Sequence, residues 1–185
     1  MGVADLLAER RPHRADARRN FDALLAAARS AFTELGTDAS LEEIARRAGV
    51  GIGTLYRNFP TREDLIESVY VAEVDALCRF GDEQADADPW EALVAWLRQF
   101  MIYMGTKQAL LDGLNRDSSA FRACRDALYE SGEPLLARAQ EAGAARGDTD
   151  IDAVMRFIIG VTAVEFTGED QRELIFTMAL AGIHT

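Results

Sequence analysis

Cysteine and histidine are scarce in this sequence, and their scarcity excludes several classes of protein. The 185 residues include two cysteines, Cys78 and Cys124, which are too few and too far apart for a disulfide framework or a zinc cluster. We interpret both as buried packing thiols rather than as a redox pair. The two histidines lie near the chain ends, and the sequence contains no catalytic triad, metal-spaced cluster or glycine-rich phosphate loop. An enzyme is therefore disfavoured, and we expect no cofactor and no metal site.

Long hydrophobic runs are also missing, although 49% of the residues are hydrophobic. No stretch approaches the roughly 18 consecutive apolar residues that a membrane-spanning helix needs. The first residues lack a basic segment followed by an apolar one, and Leu6 stands where a myristoylation signal requires Ser or Thr. We therefore expect a soluble, cytoplasmic protein without a membrane partner.

Positive charge is scarce overall but is unevenly distributed. The net charge of −11 by itself argues against a nucleic-acid partner. Residues 1–62, however, hold ten arginines and eight acidic residues (net +2), which leaves ten basic and 23 acidic residues (net −13) in 63–185. Residues 10–19 hold five arginines and one acidic residue. We interpret residues 1–19 as a flexible basic arm.

The apolar residues recur at three- and four-residue spacing, and no alternating strand pattern of useful length occurs. The sequence therefore predicts an all-α fold of about nine helices. The first helix is predicted over 20–35, and the second begins at a capping box formed by Ser40 and Glu43. A short third helix ends before Pro60, and a fourth, over 62–80, connects to the rest of the chain.

The second half, residues 81–185, is predicted to be a larger helical domain that binds an effector and forms the dimer. It contains a predicted short helix over 107–114 and a longer one over 118–143, which Pro134 is expected to kink or break.

The last two predicted helices, 150–166 and 169–182, leave little polar surface for water. This favours a homodimer in which two helices from each subunit form a four-helix bundle. The alternative is a monomer in which the first of these helices is fully internal. The expected interface residues are Ile151, Val154, Ile158, Val161, Ile175 and Met178.

Residues 40–62 fit the geometry of a helix-turn-helix, in which one helix supports a second that enters the major groove of DNA. Ala45 is small where the two helices cross, Gly49 permits the tight turn, and Leu55 is an apolar contact between the helices. The pattern predicts a three-helix DNA-binding domain over 20–62.

Three motifs in this region are more specific. They are S-L-E-E-I-A-R-R-A-G-V at 40–50, G-T-L-Y-R-N-F-P at 53–60 and R-E-D-L at 62–65. Together they resemble the DNA-binding signature of the TetR family. The resemblance implies a dimeric repressor of palindromic operator DNA, with about six helices behind the DNA-binding domain, that is usually released by a small-molecule effector.

Roles within the DNA-binding region follow from the resemblance and from side-chain chemistry. The resemblance implies that Tyr56 and Arg62 bind phosphates, which position the protein without reading sequence. Arg57 and Asn58 suit the edges of guanine and adenine, or phosphates, and Ile52 suits a thymine methyl group. The predicted DNA-binding residues are Arg18, Arg19, Ser40, Gly51, Ile52, Gly53, Thr54, Tyr56, Arg57, Asn58, Thr61 and Arg62.

Several of these positions have a second interpretation. Ser40 and Thr61 are equally suited to capping helices. Gly51 stands where the family commonly has a serine that caps the recognition helix, and Gly51 and Gly53 remove two side chains from the reading surface. We therefore expect modest sequence specificity that depends on few base contacts, on DNA shape and on the arginine arm. The competing function is a helical ligand-binding or protein-partner module that retains a degenerate DNA-binding domain.

Aromatic side chains in the second half are more numerous than a spacer domain needs. They predict an apolar cavity for an unknown small-molecule effector, with a few polar groups in its lining. Ordinary core packing is the alternative. The candidate ligand-binding residues are Trp96, Gln99, Phe100, Tyr103, Met104, Phe121, Arg122 and Phe157.

Overall fold

The computed structural model describes residues 2–162 and 166–185. Its α-helices over these residues are α1 (Val3–Arg10), α2 (Ala15–Leu35), α3 (Leu41–Arg47), α4 (Ile52–Asn58), α5 (Arg62–Asp82), α6 (Pro89–Leu110), α7 (Ser119–Glu141), α8 (Ile151–Thr162) and α9 (Glu169–Ile183). A short 3-10 turn, Leu111–Gly113, follows α6. The all-α prediction is confirmed, and none of the helices in the described ranges is long and apolar enough to cross a membrane.

The chain divides into two compact units. We call residues 1–76 with 105–125 the N-terminal unit, and residues 77–104 with 126–185 the C-terminal unit. The division differs from the predicted boundary before residue 81, because residues 105–125 pack with the N-terminal unit.

The 3-10 turn, Leu111–Gly113, explains why residues 105–125 pack with the N-terminal unit. A Cβ atom added at Gly113 would overlap Cδ1 of Ile66 and lie 3.4 Å from Cγ2 of Thr37. This close approach places the turn against the start of α5 and against the loop that follows α2. Hydrophobic spacing along one helix does not reveal such a contact between distant segments.

The first residues are helical, so the prediction of a flexible arm over 1–19 does not describe their local structure. Helix α1 buries Val3 and Leu6, and Arg10 at its end donates a hydrogen bond to Ser68 Oγ at 3.1 Å and pairs with Glu67. Two apolar residues three positions apart form a sufficient apolar face for a short helix.

Helix α2 also begins earlier than predicted, at Ala15 instead of Asn20. Its buried face includes Phe21 and Leu24, and the Phe21 ring lies 5.0 Å from the ring of Phe59. The residues before Asn20 extend the helix as an exposed, arginine-rich turn.

The core of the C-terminal unit is organised around Trp96, which is fully buried. The indole stacks on Phe100 at a centroid distance of 5.5 Å, and its Nε1 donates a hydrogen bond to Ser131 Oγ at 3.2 Å. Gly132 lies against the same indole, because a Cβ there would be 2.7 Å from Cη2 of Trp96 and 2.9 Å from Cδ1 of Ile151. Glycine is required at this point for α7 to approach the core closely.

The predicted break within α6 is wrong, and of the two outcomes predicted for Pro134 the break does not occur, so the kink stays a prediction. Helix α6 continues through Gly105 to Leu110, so a separate helix over 107–114 does not form. Helix α7 is continuous from Ser119 to Glu141 with Pro134 inside it. Buried residues lie on both sides of this proline, and their packing keeps the two halves of the helix together despite the missing backbone hydrogen bond. They are Leu128, Leu135, Leu136 and Ala139.

The tight contact at Gly132 leads to a stability prediction. We expect Gly132→Ala to lower the free energy of unfolding by about 1–3 kcal/mol, because the added methyl group overpacks a buried indole that has no room to move. Chemical denaturation followed by circular dichroism measures this change.

The matched control is Gly105→Ala, also within a helix, where an added Cβ meets no atom within 4 Å. This control should be neutral or stabilising by up to about 1 kcal/mol through helix propensity. Equal stability of the two variants would contradict the proposed packing.

Candidate nucleic-acid interface

Ser40 is the N-cap of helix α3, but only one of the two hydrogen bonds of the predicted capping box is formed. The hydroxyl of Ser40 accepts a hydrogen bond from the Glu43 amide at 3.4 Å and donates one to Glu42 Oε2 at 2.8 Å. The Glu43 carboxylate instead accepts hydrogen bonds from Arg46 and Arg47, at 2.7 Å and 2.9 Å from their Nε atoms. These guanidinium groups lower the pKa of Glu43 to about 2. Glu43 therefore remains ionised and holds two arginines on the surface of α3.

The turn between α3 and α4 is as the sequence predicts. Gly49 has a φ of +69°, a left-handed conformation that favours glycine, and the Val50 amide donates to the Ala45 carbonyl at 3.0 Å. Leu55 of α4 is fully buried. The short helix is thereby held against α3 with one side facing outward.

The outward side of α4 has few side chains. Gly51 precedes the helix without a side-chain cap, and a Cβ added at Gly51 or Gly53 would meet no atom within 4 Å. Ile52 is 37% exposed and Tyr56 is 47% exposed. Backbone and the side chains of Ile52, Tyr56 and the exposed Arg57 therefore form much of this surface.

The two predicted base-reading residues bond within their own helix. Arg57 donates from Nε to the Gly53 carbonyl and from Nη2 to Thr54 Oγ1, both at 3.1 Å. Asn58 is half-buried and donates from Nδ2 to the Thr54 carbonyl at 2.7 Å. These bonds hold both side chains against their own helix, and each side chain keeps further N–H groups because a guanidinium has five and an amide has two.

Arg62 is half-buried and does not simply extend into solvent as the predicted phosphate contact suggests. Its Nη1 donates to the carbonyl oxygens of Thr37 and Ala39, at 2.7 Å and 2.6 Å. Arg62 thereby fastens the loop between α2 and α3 to the start of α5. No sequence pattern indicates that two backbone carbonyl oxygens accept hydrogen bonds from one guanidinium. The sequence therefore did not predict that Arg62 positions this loop.

Thr61 caps α5. Its hydroxyl accepts a hydrogen bond from the Asp64 amide at 3.1 Å, and the Asp64 carboxylate accepts from the Thr61 amide at 3.0 Å. The contacts of Thr61 in this structure are therefore those of a helix cap.

Much of the basic character of the first residues is balanced locally. Arg11 donates from Nε to Asp22 at 3.0 Å, and Arg19 pairs with Asp16 on the same face of α2. Arg18 is exposed on this helix. The surplus of arginines counted in the sequence is thus partly used in intramolecular ion pairs.

The candidate ligand-binding residues are divided between the two units. Phe121 and Arg122 belong to the N-terminal unit, and the remaining six belong to the C-terminal unit. Those six are Trp96, Gln99, Phe100, Tyr103, Met104 and Phe157. Trp96, Phe100 and Tyr103 are buried, so these three side chains are placed as core residues.

Phe121 lies in an aromatic and cationic cluster of the N-terminal unit. Its ring stacks on Tyr70 at 5.4 Å, and Lys107 Nζ lies 5.3 Å from its centroid. Burial and, to a smaller extent, the charge of Arg116 lower the pKa of Lys107. Arg122 is exposed and donates to the Asp117 carbonyl at 2.6 Å.

Half of the predicted dimer residues face the interior of the C-terminal unit. Ile151, Val154 and Ile158 are buried within the C-terminal unit, so their assignment to a surface interface is wrong. The helical period explains the error, because these residues share the inward face of α8. The predicted C-terminal end of this helix at 163–165 lies outside the described residues.

A different apolar surface is exposed on the last two helices. Phe157 of α8 is 45% exposed, and Leu174 and Met178 of α9 are 60% and 65% exposed. Val161 and Ile175 are half-buried. We call these five residues the α8–α9 apolar face. Phe157, predicted to line a ligand cavity, instead belongs to this face.

Comparison with known families supports the assignment of both parts of the chain. Residues 24–69 match the family model described as bacterial regulatory proteins, tetR family. Residues 88–185 match the model described as the C-terminal domain of SbtR-like transcriptional regulators. Both models describe transcriptional regulators, not enzymes. Across the described residues, no group of three or more His, Cys, Asp or Glu side chains is arranged to hold a metal ion.

Solved structures and curated relatives agree with these models. A TetR transcriptional regulator from Streptomyces coelicolor is 38% identical, with a TM-score of 0.78 over 89% of this chain and 98% of that one. A TetR regulatory protein from Mycobacterium vanbaalenii is 29% identical, with a TM-score of 0.77 over 94% of this chain and 100% of the other.

An HTH-type transcriptional regulator of Staphylococcus aureus is 28% identical over 123 residues, or 63% of this chain. The chain spans 65% of the length of that curated relative. The matched models, the shared fold and the motifs between residues 40 and 65 show that this chain belongs to the TetR family of transcriptional regulators.

Proposed function

We propose that this protein is a cytoplasmic, dimeric transcriptional repressor that binds a palindromic operator through α3 and α4 and is released by a small-molecule effector. The observation that carries the proposal is the outward side of α4. It presents Ile52 and Tyr56 on a helix whose opposite side is fixed by buried Leu55, in a segment that matches the tetR family model.

The geometry of α3 and α4 suits entry into the major groove. The absence of side chains at Gly51 and Gly53 allows the backbone of α4 to approach DNA closely. Tyr56 offers a hydroxyl to a phosphate, which would set the depth and orientation of the helix. Arg62 stabilises this arrangement because it donates hydrogen bonds to the loop between α2 and α3.

The α8–α9 apolar face supports the homodimer. Apolar side chains concentrated on two neighbouring helices are typical of surfaces that a second subunit covers. Helix α9 is held in place by Arg98 of α6, whose Nη2 donates to Glu173 Oε1 at 2.8 Å and whose guanidinium lies 4.7 Å from the ring centroid of Phe176. This anchor leaves Leu174 and Met178 on the outward side.

The effector function rests on the match of residues 88–185 to the C-terminal regulator model and on the cluster around Phe121. Helices α5, α6 and α7 each contribute residues to both units. If a ligand displaced one of these helices slightly, the displacement would be transmitted along the helix to the N-terminal unit, which contains α3 and α4. An effector coupling of about 1–3 kcal/mol would change DNA affinity about 5- to 150-fold.

The proposal is tested by selecting bound duplexes from a random pool with the full-length protein. We expect a palindrome whose half-sites lie about one helical turn, or about 34 Å, apart, because a dimer presents two copies of α4. Affinity for the selected duplex should fall with rising salt, as phosphate contacts require. The selected duplex then serves as the probe in a screen for effectors.

No enrichment of any duplex at low salt would favour the protein-partner module with a degenerate DNA-binding domain. That alternative is supported by Gly51, which leaves α4 without a side-chain cap, and by the net charge of −11.

The phosphate role of Tyr56 predicts the effect of a single-atom change. We expect Tyr56→Phe to weaken operator binding at least about tenfold, since a hydrogen bond to a charged group contributes about 1.5–3 kcal/mol. The measurement is a fluorescence anisotropy titration at fixed salt.

The matched control is Tyr129→Phe, because the Tyr129 hydroxyl bonds to Asp152 at 2.6 Å within the C-terminal unit. Its DNA affinity should be unchanged. If Tyr56→Phe binds as tightly as this control, the phosphate role is wrong.

The dimer proposal predicts that charge on the α8–α9 apolar face separates the subunits. We expect the double variant Leu174→Glu, Met178→Glu to sediment as a monomer, because burial of two unpaired carboxylates at an interface is strongly unfavourable. Analytical ultracentrifugation measures the state of assembly.

Ile102→Glu places one carboxylate on an exposed apolar position of α6 and should leave the dimer intact. A double variant that remains dimeric would show that another surface forms the interface.

A further inference from the structure

We infer that Ile52 is a sequence-discriminating residue of α4, and that it recognises the 5-methyl group of a pyrimidine in the major groove. This methyl group distinguishes thymine from uracil and 5-methylcytosine from cytosine. The inference rests on the proposed DNA-binding function and specifies the chemical group that the helix reads.

Two hydrogen-bonding side chains of α4 are bonded within the helix. Arg57 bonds to the Gly53 carbonyl and the Thr54 hydroxyl, and Asn58 bonds to the Thr54 carbonyl. A guanidinium has five N–H groups and an amide has two, so each side chain keeps further donors, but these bonds hold both side chains against their own helix. An apolar contact from Ile52 is independent of these bonds.

Ile52 projects from a nearly bare part of the helix. The glycines on both sides of it leave open space, since a Cβ at either position would meet no atom within 4 Å. Leu55 and Phe59 pack inward, while Ile52 is 37% exposed. The branched side chain of Ile52 is therefore accessible to a base edge without interference from its neighbours in sequence.

Among the groups that unmodified base pairs present in the major groove, the thymine methyl is the apolar one. The others are hydrogen-bond donors and acceptors, which isoleucine does not satisfy. Burying a methyl group against an aliphatic side chain contributes about a fourfold gain in affinity. In a dimer with two equivalent half-sites the gain is about sixteenfold, since the free energies add.

The test uses the full-length protein and the duplex that it selects. Thymines are replaced one position at a time, symmetrically in both half-sites, by deoxyuridine, which lacks only the methyl group. We expect one position at which this replacement weakens wild-type binding about sixteenfold. At that same position, 5-methylcytosine should bind more tightly than cytosine by a similar factor.

Variants then assign the effect to Ile52. Ile52→Ala should bind the thymine and deoxyuridine duplexes equally, and Ile52→Val should keep part of the preference. Leu35→Ala removes another exposed aliphatic side chain, at the end of α2, and should keep the full preference.

Wild-type binding that is insensitive to the methyl group at every position would overturn the inference and leave the DNA-binding function standing. A methyl preference that persists in Ile52→Ala would also overturn it, because another residue would then read the methyl group. If no duplex is bound at all, the proposed function fails, and this inference fails with it.

Discussion

Burial of Leu55 is the constraint on which the candidate DNA-binding surface depends. Helix α4 has seven residues, too few for a stable helix in isolation. It persists because Leu55 is fully buried and because Phe59, just beyond its end, packs 5.0 Å from the ring of Phe21. Once these two residues face inward, the helical period places Ile52, Gly53, Tyr56 and Arg57 on the exposed side.

The DNA-binding helices and the connecting helix share a second constraint at Arg62. Its guanidinium bonds to two carbonyl oxygens in the loop between α2 and α3, so the start of α5 and the entry to α3 are fixed together. The 3-10 turn approaches the same region through Gly113, beside Ile66 and Thr37. A shift of α5 within the N-terminal unit would thus be transmitted directly to the helix that supports α4.

The sequence predicted those parts of the structure that depend on neighbouring residues. Gly49, Leu55 and the break before Pro60 are local signals, and each lies where the motif placed it. The capping box failed because the Glu43 carboxylate bonds more favourably to Arg46 and Arg47 than to a backbone amide.

Features that depend on distant segments were harder to predict. Apolar composition identified α8 and α9 as surface-forming helices, but it did not separate their inward from their outward residues. Ile158 and Phe157 are adjacent in sequence, yet one is fully buried and the other is 45% exposed. Likewise, Phe121 and Trp96 are both aromatic, and only tertiary packing assigns them to different units.

The distribution of charge explains why the dimer matters for the proposed function. Several arginines of the N-terminal unit, including Arg11, Arg19, Arg46 and Arg47, form ion pairs with carboxylates of the same unit. These pairs reduce the attraction of a single subunit for phosphates, which supplies most nonspecific DNA affinity.

An affinity that is weak for one half-site becomes strong when two linked subunits bind together, since the second contact is then effectively intramolecular. In the proposed function, the chain therefore needs the α8–α9 apolar face to bind DNA tightly and a specific contact on α4 to bind the correct site. A monomer with so much of its positive charge already paired would bind DNA weakly whatever its recognition helix could read.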